Sequence, residues 1–237
     1  MNSEQGRGAG LHSVEIGGTR GFDPEAMTSD EQFKFLCGAV CPRPIALVTT
    51  LGPNGANAAP FSFFNAFSVE PPTLAFSASA KGGVLKDTIR NIMDTGEFVV
   101  HIIDEPLKDK INICAIEYAR DVNEIVEAGF ATAPSVKVRP PRLVECPVQM
   151  ECRLTQIVPI GRVPHHMVIG EVVYFHFRDG LINDRMHVDT PALYPVGRLA
   201  GREAYTLITD RFAMPVPPVP PGKGRTGEDA LHSPNLS

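Results

Sequence analysis

The sequence contains no tryptophan, so any aromatic wall around a ligand must come from its 13 phenylalanines, 4 tyrosines and 7 histidines. It also lacks a Cys-x-x-Cys pair. The five cysteines, Cys37, Cys41, Cys114, Cys146 and Cys152, are odd in number and scattered. That argues against a disulfide framework and for reduced thiols in a cytoplasmic protein. Cys37 and Cys41 are spaced to share a helix face. No apolar run approaches the ~18 residues of a membrane helix, and the N-terminus lacks the basic, apolar, small-residue order of a signal peptide. Neither GxGxxG after a strand nor GxxxxGK[S/T] occurs, which leaves a Rossmann or P-loop nucleotide site unsupported. Lys plus Arg is 22 against 27 Asp plus Glu, a net charge of -5 with no basic stripe. Nucleic acid is therefore not an expected partner.

What is present is a globular composition rich in turns: 43% hydrophobic and 21% charged residues, with 21 glycines and 22 prolines. At 237 residues the chain can bury one large core. Residues 1–21, rich in Gly and Ser without periodicity, are expected to form a mobile arm. Residues 215–237 carry Pro215, Pro217, Pro218, Pro220, Pro221 and Pro234, and a segment so poor in backbone donors cannot join a sheet interior. It is expected to be an extended tail beyond a single domain over 22–214.

Inside that domain, Ile45 to Thr50 is a short apolar run closed by Gly52, Pro53, Asn54 and Gly55, the pattern of a buried strand and a turn. Residues 58–64 fit the return arm of a hairpin, and Thr73–Ala78 and Phe98–Ile103 are further strands. Leu85, Ile89, Ile92 and Met93 recur at helical spacing, which predicts a helix over 85–95 ending at Gly96. Residues 107–128 are expected to be helical, and 147–159 and 166–177 to be long strands. Many strands joined by short turns make the fold mainly β, an antiparallel barrel with a few flanking helices.

The most informative segment is Phe76-Ser77-Ala78-Ser79-Ala80-Lys81-Gly82-Gly83-Val84-Leu85-Lys86-Asp87-Thr88. A strand ends in two hydroxyls on one side, glycines follow, and a helix begins. A helix start presents unpaired N–H groups and a positive dipole end, which suits a phosphate. Lys86 is the odd residue, because a cation there is unfavourable by some tenths of a kcal/mol to ~1. A bound anion reconciles both charges, with Ser77, Ser79, Lys86 and Thr88 around it. The same residues also read as a solvated lysine followed by ordinary capping residues, Asp87 and Thr88. In Asn57-Ala58-Ala59-Pro60-Phe61-Ser62-Phe63-Phe64-Asn65, small residues admit a flat ligand and phenylalanines can wall it; the alternative is a buried strand.

A metal centre needs three or four converging ligands, and the histidines are not spaced to supply them, so no metal is expected. His165 and His166 are adjacent and on a strand face opposite ways. His165, Met167 and Ile169 share one face; His166, Val168 and Gly170 share the other. Gly170 marks a close approach on a face that the sequence does not reveal.

Five segments in order resemble the flavin-reductase-like family of FMN-binding split barrels. They are Arg43-Pro44-Ile45-Ala46-Leu47-Val48-Thr49-Thr50, Asn57 to Asn65, Lys86-Asp87-Thr88 with Asn91, His165 to Val172, and Arg198-Leu199-Ala200-Gly201-Arg202-Glu203-Ala204-Tyr205. The resemblance spans roughly residues 30–210. It departs at Ala200, where the family often has Gly, and at Pro164-His165-His166, which replaces a Gly-Asp-His form.

The resemblance implies a Greek-key split β-barrel that pairs as a homodimer. It implies FMN with its phosphate at Ser77, Ser79, Lys86 and Thr88, ordered by Asp87. The flavin ring would lie along Thr49, Thr50, Asn57, Ala58, Ala59, Pro60, Phe61 and Ser62, with Arg198 also at the cofactor. It further implies NADH or NADPH as co-substrate, His165 as the catalytic contact, and, for reductase components, a monooxygenase partner. An NAD(P)H-dependent flavin reductase leads on this basis. An FMN-binding electron carrier, a flavin-dependent oxygenase or other substrate-specific redox enzyme, and a β-rich module holding another anion are the alternatives.

Overall fold

The computed structural model describes residues 13–16, 18–80, 83–201 and 203–220, the first of these as backbone alone. The chain opens with a hairpin, β1 (Ser13–Ile16) and β2 (Thr19–Phe22), paired antiparallel. This is regular structure inside the segment expected to lack it; residues 1–12, on which the rest of the arm falls, lie outside the described residues. Helix α1 (Ser29–Ala39) starts at a capping box. The Glu31 N–H donates to Thr28 Oγ1 at 3.3 Å, and the Thr28 N–H donates to Glu31 Oε2 at 2.8 Å.

After the short β3 (Arg43–Pro44) come β4 (Ala46–Gly52), β5 (Gly55–Phe61), β6 (Phe64–Val69) and β7 (Pro72–Ser79). Helix α2 (Asp87–Thr95) leads to β8 (Glu97–Ile102). Its C-terminus is closed by Gly96, whose φ of 70° is the left-handed conformation that glycine adopts most readily. Then follow α3 (Lys108–Cys114), α4 (Glu124–Glu127), β9 (Thr132–Ala133) and β10 (Arg142–Leu143), then β11 (Val148–Ile160) and β12 (His165–Phe177). Helix α5 (Thr190–Leu193), β13 (Val196–Arg198) and β14 (Tyr205–Leu207) close the described fold. Residues 208–220 have no regular secondary structure, and the rest of the proline-rich tail lies outside the described residues.

The expected single helix over 107–128 is two helices. Asn123 has extended backbone angles, and its side chain accepts the Ile125 N–H at 3.0 Å, so a new helix starts there instead of an old one continuing. The nine residues between α3 and α4 form an irregular connection that reaches the site described below.

Seven strands form one antiparallel sheet in the order β5-β4-β8-β11-β12-β7-β6. Consecutive strands β5 and β6 stand at its two edges, yet only two residues join them. The sheet must therefore curl until its edges nearly meet, which is a split barrel. Phe61 of β5 and Phe76 of β7, far apart in the sheet order, bring their ring centres within 4.7 Å. β3, β13 and β14 form a separate small sheet.

β4 is buried on both faces, which explains its unbroken apolar run. Ala46 and Val48 enter the barrel core with Phe76, Ile89, Ile92, Phe98, Cys152 and Val168. Ile45 and Leu47 join a second core with Ala58, Ile111, Cys114, Ile125 and Leu143 beneath α3 and α4. Gly170 faces the barrel core: a Cβ there would lie 2.4 Å from Phe98 Cζ, so the Phe98 ring occupies the space a side chain would need. Two buried polar groups tie the layers together. His101 bridges β4 and β10, with Nδ1 2.9 Å from the Leu47 carbonyl and Nε2 accepting the Leu143 N–H at 3.0 Å. Burial works against the Glu151 carboxylate, but N–H donors from Val136 (2.7 Å) and Lys137 (2.6 Å), together with His176 Nε2 (2.6 Å), outweigh it and hold its pKa below the usual range.

Candidate functional site

Helix α2 begins without a side-chain cap. Lys86 is its N-cap, in an extended conformation, so the N–H groups of the first turn face outward beside a lysine. Asp87 accepts Arg90 Nη1 at 3.1 Å and Arg120 Nε at 2.8 Å, which fixes the turn and binds the α3–α4 connection to it. Arg90 and Arg120 both engage Asp87, and Lys86 forms no ion pair with a described residue.

These groups line a groove of about 530 Å³. Its walls are formed by Ser79, Lys86, Asp87 and Thr88, by Asn57, Ala59 and Pro60, and by Ala115, Tyr118, Arg120 and Glu124. Its volume is in the range of small-molecule pockets, ~300–1,000 Å³. Glu124 accepts the Ala58 N–H at 3.4 Å. Burial, with Asp87 nearby, raises its pKa above the usual carboxylate value.

A polar network backs the wall. Asn91 Nδ2 donates to Thr50 Oγ1 at 2.9 Å, Thr50 donates to Asn57 Oδ1, and Asn57 Nδ2 reaches Thr88 Oγ1 at 3.5 Å. It joins β4, β5 and α2, and so sets the wall's position relative to the helix start.

A second groove of about 210 Å³ shares Pro60 and Ala115 with the first. Phe61, Ser62 and Arg198 line it, with Phe33, Arg43 and Tyr205.

The sequence-derived site residues thus divide. Asn57, Ala59, Pro60, Ser79, Lys86, Asp87 and Thr88 converge on the first groove, and Pro60, Phe61, Ser62 and Arg198 on the second. Thr49, Thr50 and Ala58 line neither. Thr49 is buried and donates to the Pro141 carbonyl at 2.7 Å; Thr50 is held in the network; the Ala58 methyl points into the second core. Ser77 also lies off both grooves, with Oγ 3.5 Å from His165 Nδ1. His165 is the direct strand partner of Ser79 at the groove edge, and its ring lies 6.0 Å from Phe63. His166 takes the opposite face with Val168 and Gly170, its Nδ1 buried and without a partner. Among the described residues no three metal-ligating side chains converge.

Arg90, Arg120, Tyr118 and Glu124 were not legible as site residues. All but Arg90 belong to the segment whose pattern predicts one continuous helix, and the signal for a break was Asn123 ahead of Glu124, an N-cap pattern.

An antiparallel split barrel with an uncapped, lysine-bearing helix start beside a groove defines a class of protein. Residues 38–200 match the model of the flavin reductase like domain, and the chain belongs to that family. Protein BH2278 of Halalkalibacterium halodurans, described as uncharacterized, is 39% identical over 84% of this chain and 97% of its own length. The crystal structure of nitrilotriacetate monooxygenase component B from Bacillus cereus is 34% identical over 82% of this chain and 98% of that one, with a TM-score of 0.79. The 2-nitrobenzoate 2-nitroreductase NbaA of Pseudomonas fluorescens is 32% identical over 86% and 100%, with a TM-score of 0.76.

Proposed function

We propose that the chain binds FMN in the first groove and transfers electrons to it from NADH or NADPH. The observation that carries this reading is Lys86 at an uncapped helix start, without an ion pair among the described residues, lining a groove large enough for a flavin. Family membership supports it. The donor set suits a phosphate: Lys86 Nζ, the first-turn N–H groups of α2 and the hydroxyls of Ser79 and Thr88. Asn57, Ala59 and Pro60 offer small and polar groups to the flat remainder.

Bound flavin would supply the hydride acceptor; the chain supplies position and electrostatics. Lys86 and the helix start anchor the anionic end. The Thr50–Asn57–Asn91 network holds the wall rigid, and Asp87 keeps Arg90 and Arg120 from collapsing onto the anion. His165 stands beside Ser79, where an imidazole can touch a nicotinamide co-substrate at the groove edge. No general base is required. A cytoplasmic setting fits the five cysteines, all free. Resemblance to a monooxygenase component B supports a second component as the consumer of reduced flavin.

The test is stopped-flow bleaching of flavin absorbance under nitrogen with NADH and with NADPH. Bleaching by one of them is expected, and failure with both would replace the reductase reading by an electron carrier or an oxygenase. In the same assay His165→Ala is expected to slow bleaching by about 10-fold or more with FMN affinity nearly unchanged, as for a contact used in transfer rather than in retention. His166→Ala is the control, since its ring faces the other side. A His165→Ala variant that matches the wild type would remove that residue from the reaction.

We also propose a homodimer. β6 is an edge strand carrying Phe67 and Val69, 67% and 92% exposed, and Phe33, Leu36 and Val40 of the α1 region are exposed as well. An unpaired edge and an apolar surface are what a second copy covers. Light scattering at micromolar concentration is expected to give about twice the chain mass of 25.7 kDa; the monomer mass would contradict it.

A further inference from the structure

Lys86 is not alone in the first groove in lacking a charge partner. Glu124 lines the same groove and forms no ion pair with a described residue, whereas Asp87 beside it is held by Arg90 and Arg120. Glu124 follows Asn123, the N-cap of α4, and its carboxylate reaches across to β5, where Oε2 accepts the Ala58 N–H. At 3.4 Å that bond is long against the usual ~2.7–3.2 Å. Ala58 stands between Asn57 and Ala59, both of which line the groove. Burial is the largest influence on the Glu124 pKa and raises it; Asp87 adds to the rise, while the N–H groups of Glu124 and Ala58 and the charge of Lys86 oppose it. The carboxylate itself, and not only its stem, is therefore close to the start of α2 and to the β5 backbone.

A half-buried carboxylate without a cation is costly unless hydrogen-bond donors meet it. It offers about four acceptor positions, and the Ala58 and Glu124 N–H groups leave some of them for a ligand. No cation of the groove takes this role: Arg120 is committed to Asp87, and Lys86 and Glu124 influence each other without forming an ion pair. A molecule that satisfies both residues presents an anion to Lys86 and donors to Glu124. A phosphate joined to a chain of hydroxyls does this, and an O–H donor to a carboxylate makes one of the stronger hydrogen bonds. In FMN the ribityl hydroxyls lie between the phosphate and the ring.

We infer that Glu124 binds the ribityl hydroxyls of the flavin and makes the groove selective for a flavin that carries a polyol chain, an assignment that rests on the FMN reading above. Lys86 and Glu124 then divide the ligand between them: Lys86 reads the phosphate and Glu124 reads the chain, while Asn57, Ala59 and Pro60 are left to the ring.

The purified chain is titrated by fluorescence quenching with FMN, with riboflavin, and with lumiflavin, which carries a methyl group in place of the ribityl chain. Glu124→Gln keeps the shape of the side chain and an acceptor for the Ala58 N–H. It is expected to weaken FMN and riboflavin by the same factor, about 10-fold, and to leave lumiflavin as it was. Glu124→Ala, which removes every acceptor, is the second variant and is expected to lose at least as much for the same two ligands. Thermal melting shows whether each variant is folded. Unchanged riboflavin binding would overturn the inference. So would an equal loss for lumiflavin, which would make Glu124 a support for β5 only. Tighter FMN with unchanged riboflavin would overturn it too, by making Glu124 a like-charged neighbour of the phosphate. A wild-type chain that quenches none of the three flavins would overturn the FMN reading and this inference with it, whereas flavin binding that neither variant alters would overturn the inference alone.

Discussion

Lys86→Ala is expected to weaken FMN by about 10–100-fold, the loss of one charge-assisted contact to a phosphate. Riboflavin, which has no phosphate, is expected to bind almost as before. The helix context adds a second, opposite expectation. A lysine at the positive end of α2 is unfavourable by up to ~1 kcal/mol when no anion is bound. The flavin-free variant should therefore be as stable as the wild type or slightly more so, while its stabilisation by FMN should shrink. Fluorescence titration with both ligands and melting curves with and without FMN measure the two effects. Equal losses for FMN and riboflavin would mean that Lys86 does not read the phosphate.

The second large effect concerns stability in acid. His101 is fully buried and uncharged, because Nε2 accepts the Leu143 N–H and cannot also carry a proton. Burial above all pushes its pKa down, to about 4; the bond to the Leu47 carbonyl opposes the shift, and the charges of Arg142 and His176 add to it. The unfolded chain holds this histidine near its ordinary value of ~6.5. Between those values the unfolded state binds more protons than the folded one, so acid favours unfolding. The contribution is complete above pH ~6.5 and falls as pH drops, reaching a loss of about 3 kcal/mol near pH 4. His101→Gln removes the titration. Urea unfolding at pH 7 and pH 4 is expected to show a wild-type loss larger than the variant's by about that amount. Parallel losses would mean that His101 is not a source of the acid sensitivity.

Much of the barrel is legible because its strands carry their burial in their composition. Ile45 to Thr50, Phe98 to Ile102 and the pair over 148–177 are apolar or β-branched runs bounded by turn residues. Helix α2 was visible because Ile89 and Ile92 recur at helical spacing and Gly96 closes it. The break between α3 and α4 was not visible, since a single capping asparagine is a weak signal inside a helical pattern. With it went Tyr118, Arg120 and Glu124 of the groove's lining. Strands of two or three residues such as β3 and β13 have no periodicity at all, so the facing of Arg43 and Arg198 appears only once the chain is folded. Among the site residues, the chemistry of Lys86, Asp87 and Thr88 could be argued from helix electrostatics alone. Thr49 and Ala58 could not be placed, because small residues suit a core as well as a ligand wall; both are committed to the second core side of the sheet.

The measurement that bears most directly on the central proposal is a fluorescence-quenching titration of the purified chain with FMN, read together with the visible spectrum of the protein as isolated. Saturation at about one FMN per chain, with the flavin absorption band carried through gel filtration, is the expected result. A colourless protein that leaves the fluorescence of added FMN unquenched would contradict the assignment of the Ser79–Lys86–Thr88 groove to flavin.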